Sequence, residues 1–143
     1  MAVPKGRTLA LDFGSRRIGV AVSDELGITA RTLTAIRRQG DLKDIESIRS
    51  MSEEYGVEEV LIGLPLLPDG NEGAQAAKAR RFGEKIREII GLPVVLLDER
   101  FSTAQAERYL INSGVRREKR KEIRDSLAAA LILQSALDAR TRK

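Results

Sequence analysis

The sequence predicts an α/β fold: a mixed five-stranded sheet, three antiparallel strands followed by two parallel ones, with helices on both faces. Three observations carry this expectation. Between Thr8 and Ile36, three strand-like stretches are joined by connections too short for a crossover, so they must run antiparallel. Beyond Gly40, amphipathic helical periodicity alternates with short apolar runs, the pattern of a helix-covered sheet. Near the end of the chain, Leu127 to Leu133 is apolar all round, so its helix should be deeply buried.

Each element has a local warrant. Thr8-Leu-Ala-Leu-Asp12 is a short apolar run that reads as a buried strand, and Phe13-Gly14-Ser15-Arg16-Arg17 carries a turn signal. Ile18 to Ser23 is the second strand, ending at Asp24-Glu25-Leu26-Gly27, and Ile28 to Ile36 is the third. Asp41 is placed to cap a helix in which Leu42, Ile45, Ile48, Met51 and Tyr55 recur at three- and four-residue steps, stopped by Gly56. Val57 to Gly63 is the fourth strand. A loop with two prolines and an Asp69-Gly70 turn follows. Ala79, Phe82, Ile86, Ile89 and Ile90 mark a second helix before Gly91, and Pro93 to Leu97 is the fifth strand. Ser102-Thr-Ala-Gln105 matches a capping box for a short helix reaching Gly114. The last helix is expected over roughly Lys121 to Arg140.

At 143 residues the chain has room for one compact domain, expected to span 1–143. It contains no Cys and no His. Disulfides, thiolate nucleophiles, imidazole acid–base chemistry and Cys- or His-ligated metals are therefore excluded. Any enzyme chemistry must rest on carboxylates, Lys, Arg, hydroxyls or a hard cation held by oxygen, such as Mg²⁺ or Mn²⁺. The net charge of +4 is unevenly distributed. Residues 1–70 carry 9 basic and 11 acidic side chains, whereas residues 71–143 carry 16 and 10. The densest basic run, Arg116 to Arg124, suits a polyanionic partner, or else a solvated mixed-charge face. With 3% aromatic residues there is little material for a base-stacking platform, so a nucleic acid would be held through its phosphates. The N-terminal stretch has no apolar signal core and no segment is long enough to span a bilayer, so a soluble cytoplasmic protein without a membrane partner is expected.

Three carboxylates occupy improbable positions. Asp12 ends an apolar strand, Glu99 follows the fifth strand, and Asp125 shares a helix face with Ala128, Ala129 and Ile132. Each has a simpler explanation alone. Asp12 could be a turn residue, Glu99 with Asp98 a solvated strand end paired with Arg100, and Asp125 a first-turn acid favoured by the helix dipole. Together they could share one or two divalent cations. In two-metal sites the ions sit ~3.5–4 Å apart and clamp the attacking and leaving oxygens of a phosphodiester.

Leu11-Asp12-Phe-Gly14-Ser15-Arg16-Arg17-Ile18-Gly19-Val20-Ala21 resembles the opening motif of the YqgF family, also called RuvX. Three further blocks resemble that family in order: Gly63-Leu64-Pro65 with Asp69-Gly70, then Asp98 to Thr103, then Asp125-Ser126 with Ala128, Ala129, Ile132, Leu133 and Gln134. These are ribonuclease-H-like proteins, regarded as candidate pre-16S rRNA nucleases and as Holliday-junction-resolvase homologues. The resemblance covers roughly Thr8 to Leu137. It implies a ribonuclease-H-like fold in which Asp12, Glu99 and Asp125 are catalytic and metal-binding, with Mg²⁺ or Mn²⁺ as cofactor. Asp98 would stand behind Glu99. Arg16, Arg17, Arg100, Lys119 and Arg120 are the candidates for phosphate contacts.

The leading expectation is thus a metal-dependent endonuclease acting on structured RNA, in maturation of the 16S rRNA 5′ end, with ribosomal particles among its partners. In-line attack by water would leave a 3′-hydroxyl and a 5′-phosphate. The alternatives are a resolvase-type endonuclease acting on branched DNA, as monomer or homodimer, and a non-catalytic nucleic-acid-binding module. Asp12-Phe-Gly-Ser15 also looks like the first phosphate motif of actin-like ATPases, but the chain is too short for their two lobes.

Overall fold

The structure, a computed structural model, describes residues 6–65, 69, 71–99 and 117–141. Of these, residues 98, 99, 117–125 and 141 are described by backbone course alone. In chain order the elements are β1 (Arg7–Phe13), β2 (Arg17–Ser23), β3 (Ala30–Arg37), α1 (Asp41–Tyr55), β4 (Val57–Pro65), α2 (Ala74–Ile90), β5 (Val94–Glu99) and α3 (Arg117–Thr141). The expected short helix over 102–114 lies outside the described residues.

The strands form one sheet in the order β3-β2-β1-β4-β5. β1–β2 and β2–β3 pair antiparallel, while β1–β4 and β4–β5 pair parallel. β4 therefore separates β1 from β5, and the two parallel strands end at the same edge as β1. Pleat alternation divides the core into two layers. Leu9, Leu11 and Phe13 of β1 pack with α1 and α2 through Ile45, Ile48, Ala79, Phe82 and Ile86. On the opposite face Ala10, Ala21 and Leu61 meet Ala129, Ile132, Leu133 and Leu137 of α3. On β1 and β2 the strand residues of this second layer, Ala10 and Ala21, are small.

Several local details differ from the sequence reading. Gly40, not Asp41, caps α1; it sits at φ 114°, and its carbonyl accepts the Asp44 N–H at 2.9 Å. Asp41 is the first helical residue and its carboxylate goes elsewhere: it receives Arg38 Nη2 at 2.6 Å and Lys85 Nζ at 2.8 Å. α2 begins at Ala74, a turn before its first marked apolar residue. Gly83 lets α2 close on the sheet, since a Cβ there would stand 3.2 Å from Ile62 Cδ1. α3 begins at Arg117 rather than Lys121. Most of the basic run is therefore helical, because nothing between Arg117 and Lys121 breaks a helix.

Two polar clamps fasten α3. Gln134 substitutes for a strand neighbour: its Oε1 accepts the Ala30 N–H at 3.0 Å and its Nε2 donates to the Ile28 carbonyl at 2.8 Å. Nearer the other end, buried Ser126 Oγ accepts the Val20 N–H at 3.1 Å. The β2–β3 turn is organised by Asp24, which accepts the Ile28 and Thr29 N–H groups. Those donors, Ile28 first, hold its carboxyl below the ordinary carboxylate range. Among the described residues no helix is long and apolar enough to cross a membrane.

Candidate functional site

Asp12 is the next-to-last residue of β1. It alternates with Leu11 and Phe13, so it shares the α3 face with Ala10. Its register partners are Gly19 on β2 and Gly63 on β4. The carboxylate is therefore flanked on both neighbouring strands by residues without side chains. Asp12 itself is half-buried.

Glu99 ends β5, paired with Pro65 on β4. Gly63 pairs with Leu97 in the same register, so Glu99 is an α3-face position two strands away from Asp12, across β4, and two residues nearer the edge. Asp98 alternates to the other face by the same register.

Asp125 is brought in by an irregularity of the sheet. Ile18 pairs with Ile36 but Val20 pairs with Leu33, so β3 carries one extra residue opposite Gly19. Such a bulge breaks the regular ladder. At this bulge the Val20 N–H goes to Ser126 Oγ. The helix is thus pinned one residue from Gly19, and Asp125 precedes Ser126 towards the edge where β1 ends. The backbone gathers Asp12, Glu99 and Asp125 at one edge and on one face. The side chains of Glu99 and Asp125 lie outside the described residues, so their contacts form no part of this geometry.

Other predicted residues fall at the same edge. Arg16 and Arg17 are exposed in the β1–β2 turn and at the start of β2. Gly14 keeps that turn tight: its N–H donates to the Arg17 carbonyl at 3.0 Å, and a Cβ there would lie 2.5 Å from the same oxygen. Lys119 and Arg120 belong to α3, although their side chains, like the whole of Arg100, lie outside the described residues. Eight residues of α3 precede Asp125, about 12 Å of helix at 1.5 Å per residue. This basic stretch runs against the helix dipole, which favours anions at a helix N-terminus.

Arg38 is central to this edge and was not singled out by its sequence context. Its Nε donates to Asp44 at 2.7 Å, Nη2 to Asp41 at 2.6 Å and Nη1 to the Gly14 carbonyl at 3.2 Å. The guanidinium lies 4.5 Å from the Phe13 ring centroid, and Phe13 packs 4.8 Å from Phe82. Arg38 so ties the turn after Asp12 to the start of α1. Ser126 was visible only as part of a motif; the signal for its role is the bulge, which requires knowing the strand register.

Comparison with known proteins identifies the family and the fold. A family model described as "RuvX: Holliday junction resolvase" matches residues 6–139. The chain belongs to the RuvX family. A relative from Syntrophus aciditrophicus is 47% identical over 133 residues, covering 93% of this chain and 89% of the relative, and is named "Putative pre-16S rRNA nuclease". One from Geobacillus kaustophilus, with the same name, is 47% identical over 136 residues, covering 94% of this chain and 99% of the relative. Among solved structures, RuvC of T. thermophilus in complex with Holliday junction substrate superposes with a TM-score of 0.60 at 15% identity, over 96% of this chain and 97% of that one. Fowlpox virus resolvase with its Holliday junction DNA gives 0.56 at 14% identity, over 92% and 98%. At those identities the likeness is one of fold, and this RuvX chain has the ribonuclease-H-like fold.

Proposed function

We propose that this chain is a single-domain, metal-dependent endonuclease that hydrolyses phosphodiester bonds in structured RNA, processing the 5′ end of pre-16S rRNA. The observation that supports it most is the placement of Asp12 between Gly19 and Gly63, beneath a helix whose residue 125 is also an acid. The relatives' shared name supplies the substrate.

Asp12, Glu99 and Asp125 would hold Mg²⁺ or Mn²⁺; all three are hard oxygen donors, and the residues flanking Asp12 on both neighbouring strands are glycines. When bound, the metal supplies Lewis-acid polarisation of the phosphoryl oxygen and lowers the pKa of a water towards ~7, so no histidine is required. The chain's own contribution is positioning. β1, β5 and α3 carry the three acids on elements fixed by the sheet and by the Ser126 clamp. Arg16, Arg17, Arg100, Lys119 and Arg120 would meet phosphates on either side of the cleaved bond.

Cleavage of a 5′-extended 16S precursor, free and in ribosomal particles, by wild type and by Asp125→Asn tests the reading. Mg²⁺- or Mn²⁺-dependent cleavage leaving a 3′-hydroxyl and a 5′-phosphate, lost in the variant, supports it. Equal cleavage by both proteins rejects the role of Asp125. A second reading, cleavage of branched DNA by a homodimer, is favoured by the family description and by the two fold neighbours solved with Holliday junctions. A four-way junction tested beside the precursor RNA decides between the two substrates.

A further inference from the structure

We propose that the cleft between the β1–β2 turn and the first turns of α1 and α2 is a groove for the phosphates of a nucleic-acid strand that passes from Asp12 over the edge of the sheet. The proposal rests on the nuclease reading and extends it past Arg16 and Arg17 in the β1–β2 turn to the opposite face of the sheet.

The cleft has a volume of about 300 Å³. Ser15, Arg38, Gln75, Lys78 and Arg81 line it, with Asp41 as its sole acid among the described residues. Lys78 and Arg81 are exposed and make no hydrogen bond or ion pair with another described residue. They stand in the first two turns of α2, whose first turn carries no acid and whose cap, Gly73, offers no side-chain acceptor. Elsewhere on the same helix Arg80 holds Glu72 at 2.6 Å and Lys85 holds Asp41 at 2.8 Å, while Arg87, exposed in the last turn, does not line the cleft. Two unpaired cations facing one cleft repel each other unless an anion offsets them. Arg38 brings a third cation, with three of its five N–H groups used by Asp44, Asp41 and Gly14.

The chemistry points to a phosphodiester backbone rather than a free nucleotide. Phe13, the cleft's aromatic residue, is buried against Phe82 and beneath Arg38, so it offers no face to a base. Ser15 and Gln75 add neutral hydrogen-bonding groups suited to phosphate and sugar oxygens. Phe13 follows Asp12 directly and alternates to the other face of β1, so the groove begins one residue from the proposed reacting centre and on the far side of the sheet edge.

The test compares Lys78→Ala/Arg81→Ala with Arg31→Ala/Arg87→Ala, which removes the same charge at the opposite edge. The probe is a fluorescein-labelled RNA stem with single-stranded 5′ and 3′ flanks, its affinity read by anisotropy in Ca²⁺ from 50 to 200 mM salt. Two lost phosphate contacts reduce the log–log salt slope by about 1.4 for a single strand. The cleft variant is expected to show that reduction, with weaker affinity, while the control pair keeps the wild-type slope. Equal slopes in the two variants, or no binding by wild type, overturn the proposal. So does a cleft that loses inorganic phosphate or AMP binding on substitution while RNA affinity is unchanged. Cleavage in Mg²⁺ and Mn²⁺ is read separately. A slope change without wild-type cleavage refutes the nuclease reading and keeps the groove; cleavage without a slope change does the reverse.

Discussion

Replacing Ser126 by alanine removes one oxygen from a fully buried position, and the consequence can be worked from the structure. The β-bulge opposite Gly19 interrupts the β2–β3 ladder beside Val20, whose N–H bonds to Ser126 Oγ at 3.1 Å. Val20 is 0% exposed and Ser126 is 0% exposed, so water does not replace the lost acceptor. An unpaired buried donor costs about 1–3 kcal/mol. At roughly 4 °C per kcal/mol for a domain of this size, Tm falls by about 4–12 °C. The same bond sets the height of α3 above Gly19 and hence the position of Asp125. A displacement of about 1 Å in a reacting constellation can cost on the order of 10²-fold in rate. Ser126→Ala is therefore expected to lower both Tm and the cleavage rate, and to raise the Mn²⁺ concentration needed for half-maximal activity. Ser126→Thr keeps the hydroxyl and should restore the metal dependence if its methyl group is accommodated. Thermal unfolding by circular dichroism and cleavage across a Mn²⁺ titration provide the readouts. An unchanged Tm would refute the hydrogen-bond argument. A lowered Tm with an unchanged metal dependence would refute the link from Ser126 to Asp125.

Further substitutions probe the other parts of the account. Asp12→Asn should abolish metal-dependent cleavage, a loss of about 10³-fold or more for several kcal/mol of transition-state stabilisation, measured in single-turnover assays. Gly63→Val places a side chain beside Asp12 on the α3 face and should weaken Mn²⁺ binding in calorimetry more than it lowers Tm. Arg38→Ala leaves the Asp44 carboxylate, 1% exposed, with the Gln39 N–H as its one remaining contact among the described residues, and should cost about 3–5 kcal/mol in urea unfolding. Ile132→Ala, in the layer beneath α3, should cost about 2–5 kcal/mol by the same measurement.

The strands were legible because their apolar runs are short and bounded by glycines, and the meander followed from its connection lengths. Asp12 and Glu99 can share an edge with β4 either between or beside β1 and β5, and the strand order puts it between them. Helix boundaries were less legible. Asp41 looks like a cap in sequence, but Gly40 fills that position and Arg38 with Lys85 claim the carboxylate. The start of α3 was hidden because a run of charged residues with good helical propensity has no apolar period to mark it. For the candidate site, Asp12 and Asp125 were visible as charged residues in apolar settings, and Glu99 as an acid that follows an apolar strand. The features that position them depend on pairing between distant segments. Ser126 and Val20 are 106 residues apart, and the flanking of Asp12 by Gly19 and Gly63 exists only once the register of three strands is known.

The central claim is that Asp12, Glu99 and Asp125 together hold the catalytic metal. A crystal structure of the protein soaked in Mn²⁺ tests it most directly. The account predicts one or two ions at the edge where β1 ends, each bound by Asp12 with Glu99 or Asp125 at about 2.0–2.2 Å, the range for hard cations on carboxylates. Ions bound away from Asp12, or an Asp125 directed away from the edge, would contradict it.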